Sequence, residues 1–160
     1  MKCVNCGNAM KSAIGTHRYK ESGLSYVTLQ NVQIRTCPAC GEREVVIPKM
    51  DKLHRMIARN LIISNSQFSP DEVRFLRKWL GFSSTDFALM MGVVPETVSR
   101  WENKDGAYPL SPTADRLLRL LVANEDRAER YPIDLFKLQP RVKPEALKLK
   151  APDWKKSAAS

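Results

Sequence analysis

Four cysteines are arranged as two C-x-x-C pairs, Cys3 with Cys6 and Cys37 with Cys40, with 30 residues between the pairs. A glycine follows each pair, Gly7 and Gly41. In a reducing compartment a disulfide framework is disfavoured, so a metal is the first reading. Two residues between ligands let one tight turn present both thiolates to one ion, and two such turns complete a tetrahedron. The turn needs a positive φ just after the second cysteine, which glycine adopts without a Cβ clash. Its backbone N–H groups can then bond the sulfurs. One closed Zn²⁺ site with Cys3, Cys6, Cys37 and Cys40 as its ligands is the expectation.

The competing reading is a thiol redox pair, since Cys37-Pro38-Ala39-Cys40 alone fits a thioredoxin-like motif. Such motifs lie between a strand and a long helix. Here Val45-Val46-Ile47 follows and reads as another strand, and the pair at Cys3 and Cys6 is left without a role. A four-thiolate site has no open position for water, so the zinc would be structural rather than catalytic. Residues 1–48 are too few to fold on an apolar core alone, and metal would make up the deficit. His17 reads as a surface residue, because four cysteines already fill the site. The stretch from Gly23 to Ile34 is rich in β-formers, so the knuckles should sit on a two- or three-stranded ribbon.

The chain has 160 residues, 43% of them hydrophobic and 27% charged, which fits a globular fold and excludes disorder over most of its length. No apolar run reaches the ~20 residues of a membrane span, and the first residues carry no signal-peptide core, so a cytoplasmic location is expected. The net charge of +9 raises the prospect of a polyanionic partner. It is uneven: +6 over residues 1–68, −2 over 69–136 and +5 over 137–160.

Pro48 can open a helix in which Met50, Leu53, Ile57 and Leu61 recur at helical spacing, docked on its own domain. Ser64-Asn65-Ser66-Gln67 reads as a linker. Ser69 then caps a helix with Pro70 first and Glu72 closing a capping box. Val73, Leu76 and Leu80 face its core side, and Gly81 ends it. Ser83 caps a short helix with Phe87, Ala88 and Met91 inward, and Gly92 stops it in a left-handed turn. Pro95 opens the next helix, with Val98 and Trp101 inward and Glu96, Thr97, Ser99 and Arg100 outward. A short helix, a glycine turn and a helix with a polar outer face form the helix-turn-helix arrangement. Ser111-Pro112 starts a further helix with Leu117, Leu118, Leu120 and Leu121 as core, and Tyr131–Phe136 fits a short last one.

The stretch from Ser83 to Glu102, with its Gly92-Val93-Val94 turn and Ser99-Arg100-Trp101-Glu102 ending, resembles the Xre/Cro-type helix-turn-helix. Together with the paired C-x-x-C-G units before it, residues 1–123 resemble the MqsA-type antitoxins, which carry a YgiT-type zinc finger. Read from the residues together with this resemblance, the chain is expected to be α+β: a small zinc-bound β-ribbon domain over 1–63 with a connecting helix, a linker over 64–68, and an all-α helix-turn-helix domain over 69–138. The basic tail, 139–160, reads as flexible and lies beyond the resemblance.

The resemblance also implies a function. Members of that family dimerise through the helix-turn-helix domain, bind a double-stranded operator and repress their own operon. Their zinc domain neutralises a toxin, typically an mRNA-cleaving ribonuclease. By position the helix from Pro95 would enter the major groove, with Arg100 matching a base-reading arginine, suited to guanine. Glu96 stands where the family has a base-reading asparagine. A carboxylate accepts from cytosine N4 but cannot make the two-way adenine contact, so the operator should differ or Glu96 should orient Arg100. Thr97 and Ser99 are placed for thymine methyls or phosphates, Ser84 for a phosphate, and Asn103 and Lys104 for the backbone beyond the reading helix.

Three readings stand at this point: an antitoxin that is also a repressor, a free-standing zinc-containing regulator with no toxin partner, and a thiol enzyme. No catalytic constellation supports the third beyond the cysteines, since the chain has only His17 and His54, in different segments. No membrane and no small-molecule substrate are expected.

Overall fold

A computed structural model describes residues 1–64, 66–106 and 108–125. The short helix expected over Tyr131–Phe136 and the tail over 139–160 lie outside the described residues. Among the described residues the architecture is α+β, an antiparallel three-stranded sheet followed by five α-helices.

Strands β1 (Lys11–Arg18), β2 (Thr28–Thr36) and β3 (Arg43–Val46) pair in the order β1-β2-β3. Lys11 lies opposite Thr36 and Arg18 opposite Thr28, with a bulge between Gly15 and His17. Thr36 also pairs with Arg43 across the β2–β3 hairpin, whose tip carries Cys37 and Cys40. The bridge from Lys2 to Ala9 closes a matching small loop that carries Cys3 and Cys6. The ribbon therefore brings two hairpin tips to one end of the sheet.

Helix α1 spans Met50–Ile63. It was expected to open at Pro48 and starts two residues later, because Lys49 adopts a left-handed conformation (φ 55°) that breaks the helical run before it begins. Ile57 and Ala58 are buried, and Leu53 and Leu61 pack against the core beside them. The helix meets the ribbon through Met50 and His54 on the Tyr19 hydroxyl. It also packs along α2 and α5.

Helices α2 (Pro70–Trp79), α3 (Ser84–Met91), α4 (Pro95–Trp101) and α5 (Pro112–Ala123) complete the described chain. Their starts follow the local sequence. Ser69 accepts from the Glu72 amide at 3.4 Å while the Glu72 carboxylate accepts from the Ser69 amide at 2.7 Å, a full capping box. Ser83 and Ser111 accept from the third helical amide of α3 and α5. Gly92 closes α3 at φ 67°, and the chain turns directly into α4.

One continuous core joins these elements. Tyr19 and Leu24 from the β1–β2 connection share it with Phe75 and Leu76 of α2, Phe87 of α3, and Val98 and Trp101 of α4. Full burial of each such side chain contributes about 1.5–3 kcal/mol. From α5 the core takes Ala114, Leu118, Leu121 and Val122, with Leu117 half-buried against it. Leu120, expected in the core, is 59% exposed: the stripe facing inward runs through Ala114, Leu118 and Leu121, and Leu120 falls on the far side. Among the described residues no helix is long and apolar enough to cross a membrane.

Candidate metal centre and outer face of the fourth helix

The two cysteine turns are built alike. Cys3 donates its amide to Asn8 O at 2.8 Å and accepts from Gly7 at 2.9 Å; Cys37 donates to Glu42 O at 2.8 Å and accepts from Gly41 at 2.9 Å. Gly7 at φ 73° and Gly41 at φ 76° supply the left-handed residue that each turn needs. The turns face one another. Cys3 Sγ lies 3.6 Å from Cys40 Sγ, and Cys6 Sγ lies 3.4 Å from Cys37 Sγ. All four ligand atoms lie within 4.8 Å of one another. A tetrahedron of sulfurs with a metal–sulfur distance of ~2.3 Å has edges of roughly 3.8 Å, so the cluster has the size of a four-thiolate metal site. Cys3 and Cys37 are buried, and Cys6 and Cys40 are exposed. His17 lies outside the cluster, 3.4 Å from Glu21.

Four thiols this close cannot all ionise alone. The Asn8 amide, then the Asn8 side chain, Cys37 and Cys40, hold Cys6 down at about 6. At Cys40 the Glu42 amide also favours the thiolate. It is outweighed by Cys6, burial, Cys37 and Cys3, which together push the group up to about 12. The Cys6 thiolate forms readily and that of Cys40 is opposed by its neighbours. A divalent cation at the centre removes that opposition, and four soft sulfur donors in a tetrahedron suit a thiophilic metal ion. Asn8 was not singled out from the sequence. Its Nδ2 lies 3.5 Å from Cys6 Sγ, and Glu42 holds the corresponding place in the second turn. The sequence signal was present: both follow the second cysteine of their pair by two residues.

The second set of expected residues lies around α3 and α4. On α4 the inner face is Val98 and Trp101, both buried. Glu96, Ser99 and Arg100 are exposed and Thr97 is half-buried. Ser84, Ser99, Asn103 and Lys104 line one open concavity of about 450 Å³ with Arg74, Glu102 and Asp105. Glu96, Thr97 and Arg100 are not part of that lining. The guanidinium of Arg100 sits over the Tyr108 ring, 6.0 Å from its centre. Lys104 is paired with Asp71 at 2.7 Å, and Asn103 Oδ1 accepts from the Asp105 amide at 3.0 Å, which turns the chain after α4.

Sequence reasoning missed what holds α4 in place. Glu102, at its C-cap, is 7% exposed and grips Arg77, which is 8% exposed. Arg74 adds a bond from Nη2 to the Glu102 carbonyl at 2.6 Å. Arg74, Arg77 and Glu102 thus form one network that ties α2 to the end of α4.

No protein-family model, curated protein or solved structure matches this chain.

Proposed function

We propose that the chain is a sequence-specific DNA-binding repressor with a structural Zn²⁺ site, acting as the antitoxin of a type II toxin–antitoxin pair. The observation that carries the DNA reading is the division of α4. Its inner face is spent on the core, while four polar residues, Glu96, Thr97, Ser99 and Arg100, point away from it at the end of a glycine turn. This supports the reading of a helix-turn-helix, in which the second helix would lie in the major groove. Arg100 is the guanine reader, with Glu96 beside it accepting from cytosine or orienting the guanidinium. Ser84, Ser99, Asn103 and Lys104 contact phosphate, which fixes register without reading sequence. A palindromic operator bound by a homodimer follows from the resemblance to Xre/Cro-type repressors.

Zn²⁺ held by Cys3, Cys6, Cys37 and Cys40 would fix the two turns to each other and supply folding energy, with no coordination position open for chemistry. Neutralisation of a toxin, in this reading an mRNA-cleaving ribonuclease, is assigned to the ribbon on the resemblance to MqsA-type antitoxins.

A growth assay tests the proposal. The short reading frame beside the gene is expressed alone and then with this chain. Arrest by the neighbour and relief by this chain support the antitoxin reading. If the neighbour is harmless while the chain still shifts DNA of its own promoter, the chain is a free-standing regulator. Failure to shift that DNA at low salt removes the DNA reading.

A further inference from the structure

The β1–β2 connection, α1 and α2 line a cleft of about 490 Å³. Small-molecule sites span ~300–1,000 Å³, so it has room for a ligand of one or two rings. None of the four cysteines lines it, and neither do Glu96, Thr97 and Arg100. One face of α2 forms a wall, since Asp71, Arg74, Phe75 and Lys78 recur at helical spacing. Phe75 and Trp79 of α2 and His54 of α1 bring three rings to the cleft. The His54 imidazole is fixed from two sides. Its Nε2 lies 2.8 Å from the Tyr19 hydroxyl, and its ring meets Phe75 edge-on at 5.7 Å between centres.

The charges of the lining lean positive. Asp71 is neutralised by Lys104 at 2.7 Å. Arg74 and Arg77 share the single carboxylate of Glu102, which leaves a positive charge in excess. Arg74 is held from one side only: Nε and Nη2 bond Glu102, while Nη1 has no partner among the described residues. Lys78, one turn further along α2, is exposed and makes no ion pair among the described residues. Glu21 is the one opposing charge left in the lining. Its side chain is 63% exposed and 3.4 Å from His17, so water screens it from the two cations.

We propose that this cleft binds a small flat organic carboxylate, an aromatic acid of one or two rings. The ring system lies against His54, Phe75 and Trp79, where aromatic faces and edges pack well. The carboxylate lies between Arg74 and Lys78. A guanidinium already fixed on Glu102 meets it without first being ordered, and a hydrogen bond to a carboxylate is of the stronger, charge-assisted kind. The two cations alone would accept any anion; the three rings beside them select one with an organic body. The inference does not depend on the DNA reading, and its failure would leave that reading untouched.

The test uses the full chain loaded with Zn²⁺ and follows its nitrogen-15 amide spectrum during titration with naphthoate, neutral naphthamide and inorganic phosphate. Naphthoate should give saturable shifts concentrated at Gly23, His54 and α2. Naphthamide, which keeps the rings and loses the charge, should bind about tenfold more weakly or worse. Lys78→Ala, a change at an exposed position, should weaken naphthoate about three- to fivefold, and Lys78→Arg should restore it. Absence of saturable shifts with naphthoate up to about 10 mM overturns the proposal, as do shifts scattered over the surface. Naphthamide binding as tightly as naphthoate overturns it too, since the cations would then have no part. Phosphate moving the same amides at the same concentrations assigns the cleft to phosphate groups such as those of a nucleic-acid backbone, and overturns the organic acid.

Discussion

Arg77 of α2 holds the Glu102 carboxylate in a fork, Nε to Oε1 at 2.5 Å and Nη2 to Oε2 at 3.1 Å, where both residues are less than a tenth exposed. A third arm runs from Arg77 Nη1 to the Phe82 carbonyl at 2.8 Å, just past α2. The pair ties the end of α4 to the end of α2. Removing Glu102 leaves the Arg77 guanidinium buried without a counter-charge, and removing Arg77 leaves the Glu102 carboxylate only the more exposed Arg74. Arg77→Ala or Glu102→Ala should each cost about 3–5 kcal/mol in urea unfolding, while the double change Arg77→Met with Glu102→Leu should recover much of it. A double variant that loses the sum of the two single losses would show that the two residues act separately.

The metal site should hold one Zn²⁺ per chain, read by native mass spectrometry. Cys37→Ser, which removes a buried ligand, should abolish it, and a chelator should strip the strand signal from the far-ultraviolet spectrum of the wild type. A chain that retains full strand signal after the metal has left would show that the ribbon folds without it.

Ionisation within the metal-free cluster is ordered. Cys6 titrates at about 6 and Cys40 at about 12. The thiolate is the reactive form, so between these values Cys6 is charged and Cys40 is not. Limiting iodoacetamide at neutral pH should label Cys6 before Cys40, the two exposed cysteines, as peptide mass spectrometry resolves. Lowering the pH through 6 should suppress the Cys6 reaction. With metal bound, both should be protected. Equal labelling of the two sites in the metal-free chain would contradict the order.

Arg100→Ala should weaken operator binding by about 1–3 kcal/mol and relax the preference at a single base position, measured by mobility shift against a set of single-base operator variants. Uniform loss on every sequence would make Arg100 a phosphate contact.

Gly41 sits at φ 76° with nothing within 4 Å of where a Cβ would stand. Gly41→Ala therefore strains only the backbone, by about 1–2 kcal/mol. Zinc competition assays should show a correspondingly weaker site, and Gly41→Asn should be milder, since asparagine tolerates this conformation better.

The features legible in the sequence are the local ones. The cysteine turns, the serine caps of α2, α3 and α5, and the inward pair Val98 and Trp101 each depend on residues within a few positions of one another. Lys49 shows where this stops: nothing in Pro48-Lys49-Met50 announces a left-handed lysine, and the helix start moved with it. Leu120 sits among four leucines, of which a periodic reading cannot choose the outward one without knowing where α1 lies. Arg77 with Glu102, and Arg119 with the Ile62 carbonyl, join residues 25 and 57 apart, and only the assembled core brings them together.

Helix α4 has seven residues, too few to persist in isolation. Its position is dictated by Val98, Trp101 and the anchored Glu102, and its outward residues contribute little to that task beyond the contact of Arg100 with Tyr108. Glu96, Ser99 and Arg100 can therefore be exchanged in a library while the scaffold beneath stays constant. Diversity at those positions is separable from foldability, so a lineage of such chains could change this face without first having to survive a loss of stability.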